Sequence, residues 1–164
     1  MQVRYPKLTR ILGFNQEDSK LSKIYIRLAS PEDHLSLIEL NDKFNGVRRL
    51  PSEVKQSLMN TKEIIALAML DEVPIGFGCA QYFNSFCYEE PLGEITELYV
   101  NEVARGRGLG TLLISFVEDR LTEYGVKSIK VVTSESNKRA IKTYLKAKYI
   151  QEDDLIFQKR LDDK

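Results

Sequence analysis

The chain has 164 residues, a length typical of one compact domain that buries its own core. Apolar residues make up 43% of it and charged residues 29%, and 24 basic residues balance 24 acidic ones. The zero net charge argues against a global attraction to nucleic acid or to an anionic membrane, and no apolar segment approaches the length of a membrane span. The two cysteines form no Cys-x-x-Cys pair, so we expect a cytoplasmic protein with no nucleic-acid or membrane partner.

The first segment, residues 1–23, follows no regular period and lacks the pattern of a signal peptide. We leave its structure open and assign residues 24–164 to a single domain, because no linker divides them. A strand is predicted at Ile24–Leu28, where apolar residues alternate weakly. Residues 30–33 (Ser-Pro-Glu-Asp) have the pattern of a capped helix start, and Asn-Gly at 45–46 predicts the end of that helix.

A second, shorter helix is predicted from Pro51 to about Asn60. Three strand-like runs follow, at Glu63–Leu70, Ile75–Phe83 and Glu94–Val100. Turn residues at 71–74 join the first two runs, which predicts a hairpin, and residues 84–92 are typical of a loop.

The second half of the chain alternates strands and helices. Apolar residues recur at three- and four-residue steps over Leu109–Tyr124, which predicts an amphipathic helix that ends at Gly125. A strand, a helix and a closing strand are predicted after it, at Ser128–Thr133, Asn137–Ala147 and Leu155–Leu161. The whole order predicts an α/β (α+β) fold, a mixed sheet with helices on its faces.

The strongest chemical signal is the glycine loop, Arg105-Gly106-Arg107-Gly108-Leu109-Gly110, between a predicted strand and a predicted helix. The first N–H groups of a helix have no internal acceptor and carry partial positive charge, so an anion binds there, and glycine lets it approach closely. The loop lacks the Gly-Lys-Ser/Thr of a P-loop, and Leu113 stands where a dinucleotide fingerprint needs glycine. A pyrophosphate that belongs to neither a nucleoside triphosphate nor NAD is the expected ligand; the simpler alternative is a turn that only starts a helix.

This loop, preceded by Leu98-Tyr99-Val100, resembles the acetyl-CoA motif of the GNAT superfamily of N-acetyltransferases. Residues 137–149 are similar to a second motif of that family, Asn-x-x-Ala-x-x-x-Tyr-x-Lys-x-Gly-Phe, with Lys148 and Tyr149 at its last two positions. The resemblance implies a mostly antiparallel mixed sheet with splayed central strands and helices on both faces. It also implies an acetyl-CoA-dependent acyltransferase without a metal, and it leaves a homodimer open.

The resemblance also implies roles for single residues. The pantetheine arm would pair with the main chain of Leu98, Tyr99 and Val100, and the Leu98 N–H would polarise the thioester carbonyl. Asn137 matches a position that often contacts the cofactor arm, and Tyr144 matches the residue that protonates the leaving thiolate. The implied cofactor-binding set comprises Leu98, Tyr99, Val100, Arg105, Gly106, Arg107, Gly108, Leu109, Gly110, Asn137 and Tyr144.

The base that deprotonates the amine is a choice between two carboxylates and water. Glu94 stands where some family members carry a catalytic glutamate, and Glu97 is its rival. Strict alternation places Glu94 and Leu98 on one strand face and Glu97 and Tyr99 on the other.

The acceptor is open, because its recognition depends on less specific residues. Acidic and aromatic residues around the 84–92 loop, Tyr82, Phe83, Phe86, Tyr88, Glu89 and Glu90, suggest a mouth for a small cationic amine of polyamine or aminoglycoside type. A protein N-terminus, a lysine side chain, or a non-catalytic acyl-CoA sensor are the alternatives. His34 and Cys87 are interpreted as surface residues, because no His/Cys cluster with metal-ligand spacing occurs.

Overall fold

Five strands form one sheet in the computed structural model, which describes residues 22–161. They are β1 (Ile24–Leu28), β2 (Ile64–Leu70), β3 (Val73–Phe83), β4 (Leu92–Val100) and β5 (Ser128–Val131), side by side in that order. Neighbours are antiparallel except β4 and β5, which are parallel. The predicted mixed, mostly antiparallel sheet is confirmed; the open question about the N-terminal segment concerns residues 1–21, which lie outside the described residues.

Within the described residues four helices accompany the sheet: α1 (His34–Asn45), α2 (Pro51–Asn60), α3 (Leu109–Glu123) and α4 (Lys138–Lys146). A short 3-10 turn at Pro31–Asp33 precedes α1. There the Asp33 carboxylate accepts hydrogen bonds from the Ser30 N–H at 2.7 Å and from two guanidinium nitrogens of Arg27 at 2.7 and 2.8 Å. This start of α1 is therefore fixed to β1.

The sheet divides the apolar core into two layers, one on each of its faces. α3 packs on β2, β3 and β4 and buries one stripe of its side chains completely. That stripe comprises Leu109, Leu113, Ile114, Val117 and Leu121. On the opposite face α1 covers a second cluster that includes Phe77, Cys79 and Tyr99. Each fully buried large side chain contributes about 1.5–3 kcal/mol to the free energy of folding. Both layers therefore stabilise the packing of the helices on the sheet.

The predicted closing strand at Leu155–Leu161 is wrong. Between α4 and residue 161 the described chain forms no strand, and Leu155 and Phe157 are 79% and 89% exposed. A strand-like pattern shows only that a segment suits a sheet; it becomes a strand where an edge pairs with it, and here no described residue does so. None of the helices within residues 22–161 has the length and apolar character needed to cross a membrane.

Candidate active site

The sheet opens at its fourth strand. β4 pairs with β5 only from Leu92↔Ser128 to Ile95↔Val131, while β4 itself continues to Val100. From Thr96 to Val100 one edge of β4 therefore has no strand partner among residues 22–161. Main-chain groups on such an edge require another hydrogen-bonding partner. This gap is the splay that the resemblance implies, and it contains Leu98.

A β-bulge turns the strand within the same gap. On β3, Cys79 pairs with Glu97 while the next residue, Ala80, pairs with Ile95, so Thr96 is an extra residue on β4. Ile95 belongs to the core under α3, whereas Glu97 pairs with Cys79 in the cluster under α1. Without a bulge, strict alternation would keep these two β4 residues on one face.

The bulge corrects one prediction about the two candidate bases. Glu94 adjoins Ile95 and therefore points away from α3, toward the face that Glu97 also occupies. The prediction that Glu94 and Leu98 share a face is wrong, because Leu98 packs on the α3 side. Glu94 receives a hydrogen bond from Gln81 Nε2 at 3.2 Å.

The glycine loop offers a set of free main-chain donors. Gly106 and Gly108 have φ of +81° and +79°, and a Cβ at either position would meet no atom within 4 Å. We find no hydrogen bond from the N–H groups of residues 106–111 to any acceptor between residues 22 and 161. The start of α3 therefore carries six main-chain donors without an acceptor in the described residues, and this suits an anion.

Arg105 and Gly110 have structural roles in the loop. The Arg105 side chain donates from Nε to the Val100 carbonyl at 2.9 Å and pairs with Glu102, and its N–H donates to the Glu102 carbonyl. Arg105 therefore closes the base of the loop, and Arg107 is its exposed cation. A Cβ on Gly110 would lie 3.2 Å from Thr143 Cγ2, so this glycine allows α3 and α4 to approach each other.

The second motif lies on α4 beside the same helix. Tyr144 is 9% exposed, and burial raises the pKa of its phenol, so the hydroxyl stays protonated at neutral pH. That hydroxyl has no hydrogen-bond partner in the described part of the chain, and Tyr144 packs in the same apolar cluster as Leu98. The Asn137 side chain accepts a hydrogen bond from the Ala140 N–H at 3.1 Å and so caps α4.

On the other side of β4 a cavity lies between the sheet and the first two helices. This α1–α2 cavity has a volume of about 290 Å³, and Glu63, Cys79, Glu97 and Arg49 line it. The carboxylate oxygens of Glu63 and Glu97 and the Cys79 sulfur all lie within 4.8 Å of one another. Burial, and then the nearby Glu97 charge, raise the pKa of Glu63, and burial raises the pKa of the Cys79 thiol.

The sequence model described as "Acetyltransferase (GNAT) family" matches residues 29–149 of this chain. The protein belongs to this family. It is 30% identical over 147 residues to the D-amino-acid N-acetyltransferase HPA3 of Saccharomyces cerevisiae, which covers 82% of this chain and 91% of the yeast protein. These matches establish an acetyl-transferring enzyme.

Solved structures of two aminoglycoside acetyltransferases share the fold. One is meta-AAC0020 from an uncultured soil metagenomic sample, in complex with sisomicin, with a TM-score of 0.75 at 19% identity over 84% of this chain and 96% of that one. The other is AAC(6')-Iy in complex with CoA, with a TM-score of 0.74 at 20% identity over 85% and 96%. At these identities the likeness shows the fold alone.

GNAT acetyltransferases use acetyl-CoA, and the site of this one has features that suit it. Six free N–H groups suit the pyrophosphate, and the open edge of β4 suits an arm that carries amides. Residues 106–111 would hold the pyrophosphate, and Leu98, Tyr99 and Val100 would face the arm. Since the Val100 carbonyl already accepts a hydrogen bond from Arg105, it has less capacity to accept another from the pantetheine arm. The bound thioester supplies the activated acetyl group.

None of the aromatic and acidic residues predicted around the 84–92 loop lines the α1–α2 cavity. Tyr82 stacks on Tyr124 with ring centroids 4.4 Å apart, Glu90 pairs with Lys127, and Phe86 is fully exposed. His34, interpreted as a surface residue, is half-buried at the start of α1, and its Nδ1 lies 2.9 Å from the Pro31 carbonyl. The sequence-based interpretation missed Glu63, whose only signal is a carboxylate directly before an apolar strand.

Proposed function

We propose that this GNAT enzyme transfers the acetyl group of acetyl-CoA to the amino group of a small molecule by direct attack. The supporting observation is that β4 separates two features: the free amides and open edge on one side, and the α1–α2 cavity on the other. The cavity has a volume of about 290 Å³, just below the roughly 300–1,000 Å³ of typical small-molecule pockets. A volume of that size suits a small amine.

Glu97 is better placed than Glu94 to deprotonate the acceptor. Glu97 lines the α1–α2 cavity and directly precedes Leu98, the proposed donor to the thioester carbonyl, whereas Glu94 is absent from the cavity lining and is bonded to Gln81. A carboxylate acts as a base within hydrogen-bond reach of the proton or through one water. We therefore assign Glu97 as the base and Tyr144 as the acid.

The protons balance as follows. Glu97 takes one proton from the ammonium, and the amine lone pair forms the N–C bond to the acetyl carbon as the C–S bond breaks. The Leu98 N–H stabilises negative charge on the carbonyl oxygen. Tyr144 gives its proton to the departing sulfur, and the nitrogen that has attacked gives up a second proton, which restores the Tyr144 hydroxyl. The proton that Glu97 took passes to water, so one proton is released in each turnover.

The test is a coenzyme A release assay with a panel of amines. The panel contains polyamines, aminoglycosides, both enantiomers of amino acids, and peptides with free N-termini or lysines. Amino acids are included because the yeast relative is a D-amino-acid N-acetyltransferase, and aminoglycosides because enzymes that acetylate them share the fold. We expect turnover with at least one small amine. CoA binding without release for any amine would refute the proposal and favour an acyl-CoA sensor.

A further inference from the structure

The α1–α2 cavity contains two carboxylates and one arginine, an uncommon combination for a pocket that receives a simple cation. Two neighbouring arginines precede α2, and they differ in their partners. Arg48 donates from one guanidinium nitrogen to Asp42 at 3.0 Å. Arg49 lines the cavity, and its nearest acidic atom within residues 22–161 is a Glu53 oxygen 3.9 Å away, beyond hydrogen-bond distance. Arg49 therefore forms a long ion pair with Glu53 but donates no hydrogen bond to a described residue, so its donors can bind a second anion.

The amides beside it are already used. Asn41 Nδ2 donates to the Val47 carbonyl at 2.8 Å, and Asn45 accepts from the Val47 N–H at 2.9 Å and donates to Asn41 at 3.1 Å. This network fixes the chain after α1, which leads directly into Arg49. The asparagines position the segment, and Arg49 is the cationic group that the lining of the cavity presents.

The opposite wall presents the Glu63–Glu97 pair above a buried thiol. Cys79 is 8% exposed, lines the cavity, and forms no side-chain hydrogen bond to another residue in the described range. The only hydrogen bond to Glu63 from that range is a 3.5 Å contact from Thr96 Oγ1, the residue inserted by the bulge. Two carboxylates this close repel each other unless a cation lies between them.

We infer that the α1–α2 cavity is a receptor for a zwitterion, an acceptor whose ammonium lies between Glu63 and Glu97 and whose carboxylate pairs with Arg49. This rests on the proposed function and specifies its substrate class as an amino acid with a free α-carboxylate. Most of the remaining lining is apolar and suits an aliphatic side chain; it comprises Leu37, Ile38, Val47, Val54, Leu58, Ile65 and Phe77, with Ser57 as its polar member. Guanidinium binds carboxylate through two parallel hydrogen bonds, which makes Arg49 the residue that selects for this group.

The test uses three kinds of acceptor that share an amine and the leucine side chain and differ in the carboxylate: leucine of either hand, leucinamide, and 3-methylbutylamine. With the parent enzyme we expect kcat/KM for one leucine enantiomer at least tenfold above those of the amide and the amine. Arg49→Gln raises KM for leucine at least tenfold with a smaller change in kcat and leaves leucinamide unaffected, and Arg49→Lys recovers part of the loss. Arg48→Gln, the matched control, behaves as the parent. Glu63→Gln raises KM for all three acceptors.

The outcomes separate this inference from the proposed function. No release of coenzyme A with any amine, these three included, refutes both. Release with leucinamide or 3-methylbutylamine at least as fast as with leucine, or equal effects of the Arg49 and Arg48 variants, overturns the zwitterion receptor and leaves the acetyltransferase assignment standing. Loss of leucine turnover on chelation, restored by Zn²⁺, also overturns it, because the metal would then occupy the Glu63–Glu97 pair.

Discussion

A methyl group added at Gly108 distinguishes an anion-binding loop from a turn that only starts α3. Gly108 has φ of +79°, and its Cβ would meet nothing within 4 Å, so Gly108→Ala adds no clash within the described structure. The left-handed backbone costs an alanine about 1 kcal/mol. Gly125→Ala is the matched control: its φ is +82°, its Cβ would make an ordinary 3.9 Å contact with Pro91 Cδ, and it lies at the far end of α3.

The two variants are expected to lose the same stability and different affinity. A loss of about 1 kcal/mol lowers Tm by about 2–4 °C for a chain of this size. The Gly108 methyl projects from the loop where an anion would contact the free amides, and losing one charge-assisted hydrogen bond costs about 1.5–3 kcal/mol. Affinity for coenzyme A therefore falls at least about tenfold in Gly108→Ala.

Isothermal titration calorimetry with coenzyme A measures the affinity, and thermal unfolding measures the stability. The Gly125→Ala variant should bind as the parent does while unfolding at the same temperature as Gly108→Ala. Parent-like affinity in Gly108→Ala would refute the anion-binding role of the loop, and an equal loss in both variants would show that backbone strain alone weakens binding.

Three further substitutions test other parts of the structure. Tyr144→Phe should lower kcat without changing the Kd for coenzyme A, since the Tyr144 hydroxyl has no partner within residues 22–161. Stopped-flow kinetics measures kcat and calorimetry measures the Kd, and an unchanged kcat would show that Tyr144 takes no part in the reaction. Asp33 has a pKa of about 2, lowered chiefly by its hydrogen bonds from Arg27, so its stabilisation is full above its unfolded pKa near 4 and is lost as pH falls through about 2. Asp33→Asn should therefore cost about 1–2 kcal/mol at pH 7, discounted for the partial exposure of Arg27, and the difference should vanish in urea unfolding near pH 2; an equal cost at both pH values would contradict this. Glu63 has a raised pKa, so the parent loses stability as pH rises through it; Glu63→Gln should unfold at a higher temperature than the parent at pH 7 but not at pH 4, and a gain at both would exclude the charge as the cause.

Local patterns were enough to predict most elements of this fold. The bounds of β1 and α2 agree with the prediction, because a bounded apolar run and a proline at the first helical turn act over a few residues. The glycine loop was also readable, since its chemistry lies in six consecutive residues. Gly110 is the exception: its contact with Thr143 depends on how α4 packs, which the loop itself does not specify.

The features that the sequence did not predict correctly all depend on pairing between distant segments. The bulge at Thr96 is a mismatch between β3 and β4, so no reading of β4 alone reveals it. The proximity of Glu63 and Glu97 follows from that register across an intervening strand. The closing strand at residues 155–161 was predicted from its own pattern, but a strand also requires an edge that pairs with it.

The inserted Thr96 has a consequence for the chemistry that alternation would not allow. In a regular strand Glu97 would share the face of Ile95 and would bury a carboxylate in the apolar core under α3, at a cost of several kcal/mol unless it were paired. The extra residue turns Glu97 toward the α1–α2 cavity and Leu98 toward the core under α3, while the main chain of Leu98 lies on the open edge. The proposed base and the proposed carbonyl donor are consecutive residues on opposite faces, so an acceptor bound in the cavity would meet a thioester bound in the gap across a single peptide group.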